Sequence, residues 1–352
     1  MSRVLITGGA GFIGFHLGRR LDAGGWQVTN LDNLSPQVHL DPEASRRRLV
    51  GDLIETDVLA DDAFEGLGDV DAVVHLAAET GVGQSMYEVE RYRRVNVTGT
   101  RVVAAWCAQR HIPLVFFSSR AVYGEGRYAC RDHPEVTDGS CCGAAVPVAS
   151  REDDPMAPVS VYGETKVAGE QLVAARSADA PVTIVRPQNV IGSGQALHNP
   201  YTGVLAAFLA RLKERRPVQV YGDGSATRDF VDVADVARLV EALLAGPPSG
   251  PEPVVVNCGS GERTSLLELA GHAIAGAPVP GSIEHVEVHR AGDIEHACAD
   301  LTRLRALGLP EPTVSVGDAV AGFIRDGWEA PGADSAVWDD ALDALVERGL
   351  AT

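Results

Sequence analysis

Residues 4–14 read Val4-Leu5-Ile6-Thr7-Gly8-Gly9-Ala10-Gly11-Phe12-Ile13-Gly14. An apolar strand-like run passes into glycines at 8, 11 and 14, and a helical pattern follows over Phe12–Ala23. Alone, a glycine triplet marks a tight strand–helix turn. With a strand before it and a helix after it, it reads as a dinucleotide loop. Gly8 permits the turn, Gly11 lets a pyrophosphate approach the backbone, and Gly14 allows helix and strand to pack closely. The free amides of Phe12 and Ile13 at the helix start then face the phosphates.

The next apolar run, Gln27 to Leu31, leads to Asp32, eighteen residues beyond Gly14. A carboxylate there accepts hydrogen bonds from both adenosine ribose hydroxyls and repels a 2′-phosphate. No arginine follows it, since Asn33-Leu34-Ser35 come next. The expected cofactor is NAD rather than NADP.

Further short apolar runs at Ala72–Leu76, Leu114–Ser118 and Pro181–Arg186 alternate with helical windows at Asn96–Gln109 and Val161–Arg176. Strands apolar on both faces, separated by helices, indicate an α/β fold with a doubly wound, Rossmann-type parallel sheet. Residues 1–190 are assigned to this unit, with an insert at about 124–160. Residues 191–328, where the rhythm loosens, are assigned to a smaller mixed α/β substrate-binding region. Its windows are Val204–Arg215, Val233–Ala245 and Pro253–Cys258. The acidic, Ala-rich stretch 329–352 is read as a peripheral helix or a disordered tail.

Composition narrows the function. The 352 residues carry a formal net charge of −18, which disfavours a nucleic-acid partner. No apolar run approaches the ~20 residues of a membrane helix. Val4-Leu5-Ile6 runs straight into glycines, so no secretory leader is read and a cytoplasmic location is expected. Six cysteines without a secretory context do not make a disulfide framework.

Tyr162-Gly163-Glu164-Thr165-Lys166 sets a phenol and an ammonium at i and i+4, on one helix face. A free tyrosine ionises near pH ~10, and a nearby cation brings the phenolate within reach of neutral pH. Such pairs on helices are usually just solvated. Here Phe116-Phe117-Ser118-Ser119 ends a buried strand, where α/β sheets present ligand-facing groups. The Ser119 hydroxyl there is able to hydrogen-bond an oxygen that gains or loses a proton.

Taken in order, the landmarks resemble the extended short-chain dehydrogenase/reductase superfamily, in its NAD-dependent nucleotide-sugar epimerase/dehydratase branch. They are residues 7–14, Gly51-Asp52-Leu53, His75-Leu76-Ala77-Ala78, Asn96, Ser118-Ser119 before Val122-Tyr123-Gly124, Tyr162 to Lys166, and Arg186-Pro187-Gln188-Asn189. The set covers about residues 1–325. The resemblance implies catalytic roles for Ser119, Tyr162 and Lys166. It implies cofactor contacts from Gly8, Gly11, Phe12, Ile13, Gly14, Asp32, Asn33, Asp52, Leu53, Leu76, Ala77, Ala78, Asn96, Tyr162, Lys166, Pro187 and Val190.

For the substrate, the resemblance points to a nucleoside-diphosphate sugar. It assigns Asn189 to the diphosphate region, and Arg228 and Arg290 to a clamp on it, since the guanidinium fork matches phosphate oxygens. Ser119 would flank the sugar hydroxyl, and Gln84, Ser85 and Tyr201 would line the sugar pocket. Relatives that eliminate water carry an Asp–Glu pair where this chain has Arg120-Ala121. That favours NAD-dependent epimerisation at carbon 4 through a 4-keto sugar, in an isomerase. Segments 34–39, 80–87, 188–192 and 199–204 look like a subgroup that includes dTDP-L-rhamnose 4-epimerases, so a dTDP-6-deoxyhexose is expected. The alternatives are a dehydratase or dehydrogenase on a dTDP- or UDP-sugar, and a non-catalytic dinucleotide sensor.

Two features stay open. Cys130, His133, Cys141 and Cys142 have the ligand types for zinc, but the adjacent pair lacks the two-residue gap of a zinc knuckle. They are read as reduced thiols in a loop, and no metal site is assigned. By analogy a homodimer is expected through Asn96–Gln109 and Val161–Arg176, with Ala104, Ala105, Ala168, Ala174 and Ala175 allowing close approach.

Overall fold

The computed structural model describes residues 2–133, 145–201, 203–246 and 250–352. Its centre is a seven-stranded sheet in which every neighbouring pair runs parallel. We number its strands β1 (Arg3–Thr7), β2 (Gln27–Asp32), β3 (Asp52–Glu55), β4 (Ala72–His75), β5 (Leu114–Phe117), β6 (Val182–Pro187) and β7 (Val254–Cys258). Across the sheet the order is β3-β2-β1-β4-β5-β6-β7. The order reverses between β1 and β4, and ligands bind beyond the strand ends at such a switch point.

The helices used below are α1 (Phe12–Ala23), α2 (Thr100–Arg110), α3 (Val161–Ala174), α4 (Val204–Lys213), α5 (Val233–Ala245), α6 (Leu266–Gly276), α7 (Val316–Gly327) and α8 (Ser335–Glu347). One sheet face packs on α1 and α5 through Val4, Ile6, Leu17, Leu21, Val236 and Val240. The other packs on α2 and α3 through Leu5, Val73, Val103, Phe116 and Val173. Burial on both faces explains the continuous apolar runs of these strands. A second core joins α4, α6 and α7 around Phe208, Leu269, Val320 and Phe323.

Several elements differ from the sequence reading. The boundary near residue 190 is crossed twice by the later chain, because α5 packs on α1 and β7 pairs with β6. The edge strand β3 was not read as a strand, being four residues long and without a buried residue. The helical window at Asn96 begins as a π-helical stretch, Arg93–Gly99, before α2. Of the two readings of 329–352 the helix is the one found, as α8, and the segment is built onto the protein: Leu345 and Ala351 are buried, and Arg290 and Ala351 form an antiparallel bridge. In the insert, Arg127–Ala129 pairs antiparallel with Val146–Val148. Cys130 Sγ lies 3.6 Å from His133 Nδ1, while Cys141 and Cys142 lie outside the described residues. Among the described residues no helix is long and apolar enough to cross a membrane.

Candidate active site

The glycine loop has the geometry a pyrophosphate needs. Gly8 has φ +71°, and a Cβ there would sit 2.8 Å from the Ala77 amide nitrogen. A Cβ on Gly14 would press on the Gly8 carbonyl at 2.5 Å, which is the close helix–strand packing the motif implies. Gly11 is the N-cap of α1 and supplies no side-chain acceptor, so the first amides of the helix keep their hydrogen bonds for a ligand. Phe12 and Ile13 occupy that first turn.

Asp32 ends β2 and is buried. Its Oδ2 accepts from the Ala10 amide at 3.0 Å and its Oδ1 from the Leu34 amide at 2.9 Å. Each carboxylate oxygen retains a lone pair for a ribose hydroxyl. Asn33 donates its side-chain amide to Asp57. Asp52 and Leu53 lie in β3 beside β2, with Leu53 opposite Asn30. Leu76, Ala77 and Ala78 follow β4 directly, at the switch point. These donors and this carboxylate fit a dinucleotide with a free 2′-hydroxyl.

The chemistry-bearing side chains gather at the adjoining strand ends. Ser119 caps the turn Arg120–Tyr123, its Oγ accepting from the Ala121 amide at 3.2 Å. Tyr162 lies in the first turn of α3, and Lys166 one turn on. Lys166 Nζ donates to the Phe117 carbonyl at 2.9 Å and stands 5.9 Å from the Tyr162 ring centroid. Burial pulls the Lys166 pKa down to about 8, opposed by Glu170. Burial raises the Tyr162 pKa, while a hydrogen bond from Ser119 and the charge of Arg120 favour the phenolate. The sequence assigned that electrostatic support to Lys166, and the fold adds the charge of Arg120, which sequence reading did not single out for this role.

Other predicted residues are held by protein partners. Ser85 Oγ donates to the Val82 carbonyl at 2.6 Å and accepts from the Tyr162 amide at 3.0 Å, so it anchors the start of α3. Gln84 exchanges hydrogen bonds with Gln37 and accepts from the Tyr92 hydroxyl. Asn96 takes the Glu79 amide on Oδ1 and gives Nδ2 to the Glu79 carbonyl and to Thr165 Oγ1. It thereby ties the loop after β4 to α3. The Tyr201 and Tyr87 hydroxyls are 2.7 Å apart. Pro187 ends β6, and Asn189 and Val190 pair with Phe230 and Val231 in a short parallel ladder. Arg228 donates to the carbonyls of Thr227, Glu295 and Ile294, and Arg290 Nε donates to Asp293 at 2.9 Å.

Sequence reading missed the buried network beneath these groups. Arg186 gives a bidentate fork to Glu170, at 2.9 and 2.7 Å, and also reaches the Tyr123 hydroxyl at 2.9 Å. Ser118 donates to the same Glu170 carboxylate, and Tyr123 to Asn257 Oδ1. Asp229, fully buried next to Arg228, accepts from the amides of Ser260, Gly261 and Ala299. The only sequence signal was ionisable residues inside otherwise apolar segments, as at Arg186 after Val182-Thr183-Ile184-Val185.

The profile of the NAD dependent epimerase/dehydratase family matches residues 4–259. The chain belongs to that family. It is 39% identical over 328 residues to a dTDP-L-rhamnose 4-epimerase of Burkholderia thailandensis, covering 85% of this chain and 88% of that protein. It is 33% identical to a UDP-glucose 4-epimerase of Mycolicibacterium smegmatis, covering 91% and 96%. Among solved structures it is similar to the UDP-glucose 4-epimerase of Thermus thermophilus in complex with NAD. The TM-score is 0.78 at 28% identity, with 93% of this chain and 99% of that chain covered. As a member of the epimerase/dehydratase family, this chain is an NAD-dependent enzyme, in accord with the fit of Asp32 and the glycine loop.

Proposed function

We propose that the chain epimerises a nucleoside-diphosphate hexose at carbon 4 through a transient 4-keto sugar, the substrate being a dTDP-6-deoxyhexose. The observation that carries this reading is the meeting of Ser119, Tyr162 and Lys166 at the sheet's ligand-binding end, with Arg120-Ala121 directly after Ser119. A dehydration needs a general acid and base, and neither guanidinium nor methyl supplies one near neutral pH. The 39% identity to a dTDP-L-rhamnose 4-epimerase supports the choice of sugar nucleotide.

The α1 amides, Asp32 and Lys166 would hold NAD, with Leu76, Ala77, Ala78, Pro187 and Val190 alongside. When bound, NAD supplies the hydride acceptor and gives the same hydride back. Tyr162, as phenolate, takes the proton of the 4-hydroxyl as the carbon 4 hydrogen leaves with its electron pair. Ser119 donates a hydrogen bond to that oxygen. Asn189, Arg228 and Arg290 keep the diphosphate in place while the keto sugar turns its other face. Tyr162 then returns its proton as the hydride comes back, so stereochemistry changes without net oxidation. Gln84 and Tyr201 border the sugar, and Ser85 and Asn96 act as positioning residues.

Proton NMR of the enzyme with dTDP- and UDP-hexoses, without added reductant, tests the reading. The expected result is a second diastereomer with a changed carbon 4 coupling, reaching one ratio from either side. A 4-keto product or stoichiometric NADH sinks it in favour of a dehydratase or dehydrogenase, and silence across the panel favours a sensor. Tyr162→Phe should abolish turnover and retain NAD; near-full activity would remove Tyr162 as the base. We also infer a homodimer through α2 and α3, where Ala105, Ala168, Ala174 and Ala175 are not buried within the chain, whereas Ala104, also expected to allow close approach, is buried in the chain's own sheet-facing core. Light scattering that gives a monomer mass at all concentrations would exclude it.

A further inference from the structure

Arg120 opens the turn after Ser119 and borders a small cavity with Tyr123, Gln188 and His296. Among the described residues its side chain makes no hydrogen bond and no ion pair within 4 Å. A guanidinium has five N–H donors and stays charged in proteins, so a half-buried one without protein partners keeps its donors free for a ligand. Its surroundings disfavour the charge. Burial and the like charge of Arg228 both disfavour the cation and bring its pKa down to about 10, against smaller support from Asp293, Tyr162 and Glu125. The two arginines assigned to the diphosphate are differently placed. Arg228 is tied to three backbone carbonyls, and Arg290 to Asp293. Arg120 therefore has uncommitted donors on the Arg228 side, while Arg263, whose buried Nη1 and Nη2 also lack partners, acts on His296 and Cys298.

We propose that Arg120 is a substrate-binding residue, its planar fork closing on the diphosphate of the sugar nucleotide from the side opposite Arg228. Two like charges held close at low dielectric are stabilised by an anion between them, and a diphosphate has the charge and the oxygens to bridge both. The charge of Arg120 already acts on the Tyr162 phenol, and the contact would hold that cation in place while the substrate is seated. The inference rests on the nucleotide-sugar reading above.

Calorimetric titration of the NAD-loaded enzyme with dTDP and with UDP tests it, using wild type, Arg120→Gln and Arg120→Lys. For whichever nucleoside diphosphate binds, Arg120→Gln should weaken affinity at least about tenfold, and Arg120→Lys by less, because a point charge keeps attraction and loses the bidentate geometry. Bound NAD per chain should be unchanged in both. Wild-type affinity for the diphosphate in Arg120→Gln overturns the contact, even if the KM for a sugar nucleotide rises, because that pattern places Arg120 on the sugar. Should Arg120→Gln not fold, Arg120→Lys decides: a several-fold loss supports the contact, and wild-type affinity overturns it. If the wild-type protein binds neither diphosphate, the nucleotide-sugar reading and this contact fall together. Binding by wild type with unaffected variants removes the contact alone.

Discussion

Thr7 Oγ1 lies 2.7 Å from His75 Nδ1, joining β1 to β4 at paired positions on either side of the switch point. The far ring nitrogen, Nε2, is 3.1 Å from Thr100 Oγ1, and that hydroxyl donates to the Asn96 carbonyl. Thr100 is then an acceptor toward the ring, so Nε2 carries the hydrogen and Nδ1 accepts from Thr7. The neutral ring satisfies both threonines, and a second proton would break the Thr7 contact.

This has a consequence for acid stability. Burial, with a smaller contribution from Lys166, brings the His75 pKa down to about 3 from the usual 6.5. Between those values the unfolded chain binds the proton and the folded one does not, so this group's contribution is full above pH 6.5 and is lost as pH falls toward 3. The slope is up to about 1.4 kcal/mol per pH unit. His75→Asn keeps an acceptor toward Thr7 and removes the titration. Its stability deficit against wild type should therefore shrink as urea unfolding is repeated from pH 7 down to pH 5. A deficit that is constant over that range would contradict the assignment.

Lys166 shows the opposite balance of function and stability. Its pKa is held near 8 against a usual 10.5, so below pH 8 both states are protonated and the folded state bears the cost of the buried charge. From pH 8 to 10.5 that cost is relieved as pH rises. It amounts to about 3 kcal/mol, offset by about 1–2 kcal/mol from the hydrogen bond to Phe117. Lys166→Met should thus be inactive yet melt about 1–2 °C above wild type at pH 7, with the gap closing toward pH 10. A lower melting point at pH 7 would show that the hydrogen bond outweighs the desolvation.

The Glu170–Arg186 pair behaves differently, because each ion is buried and has several partners. Removing one side leaves an uncompensated charge, and Glu170→Ala should cost about 3–5 kcal/mol in denaturant unfolding. The double variant Glu170→Met with Arg186→Met should recover most of that. If the double variant is as unstable as the single one, packing of these side chains and not their charge carries the effect.

Residues near Thr352 govern the surroundings of Arg290. His289 and Thr352 exchange backbone hydrogen bonds of 3.0 Å each, and the Ala291 amide donates to the Leu350 carbonyl at 2.8 Å. Arg348 lies 4.6 Å from the Tyr87 ring centroid. Deleting residues 349–352 should loosen both sides of Arg290 and raise the KM for the sugar nucleotide several-fold, with bound NAD unchanged. An unaltered KM would mean that Arg290 is positioned by Asp293 and Tyr221 alone.

Local chemistry made much of this protein legible. The apolar run of β1, the turn at Gly8, the helix start after Gly11 and the i, i+4 spacing of Tyr162 and Lys166 are properties of short segments, and the structure carries each of them, the turn through a φ of +71° at Gly8. Edge strand β3 was missed because it is short and lacks a buried apolar face.

The sequence by itself determined the α/β layering, the dinucleotide loop, the carboxylate at Asp32 and the Tyr–Lys helix, because backbone sterics and hydrophobic periodicity act within a few residues. Only the tertiary structure decided which way the polar side chains turn. Ser85 caps the helix of Tyr162 across 77 positions, Asn257 and Tyr123 meet across 134, and Arg120 keeps its donors uncommitted. Those outcomes depend on which distant carbonyl or carboxylate arrives within about 3 Å, a matter of packing that no local pattern encodes.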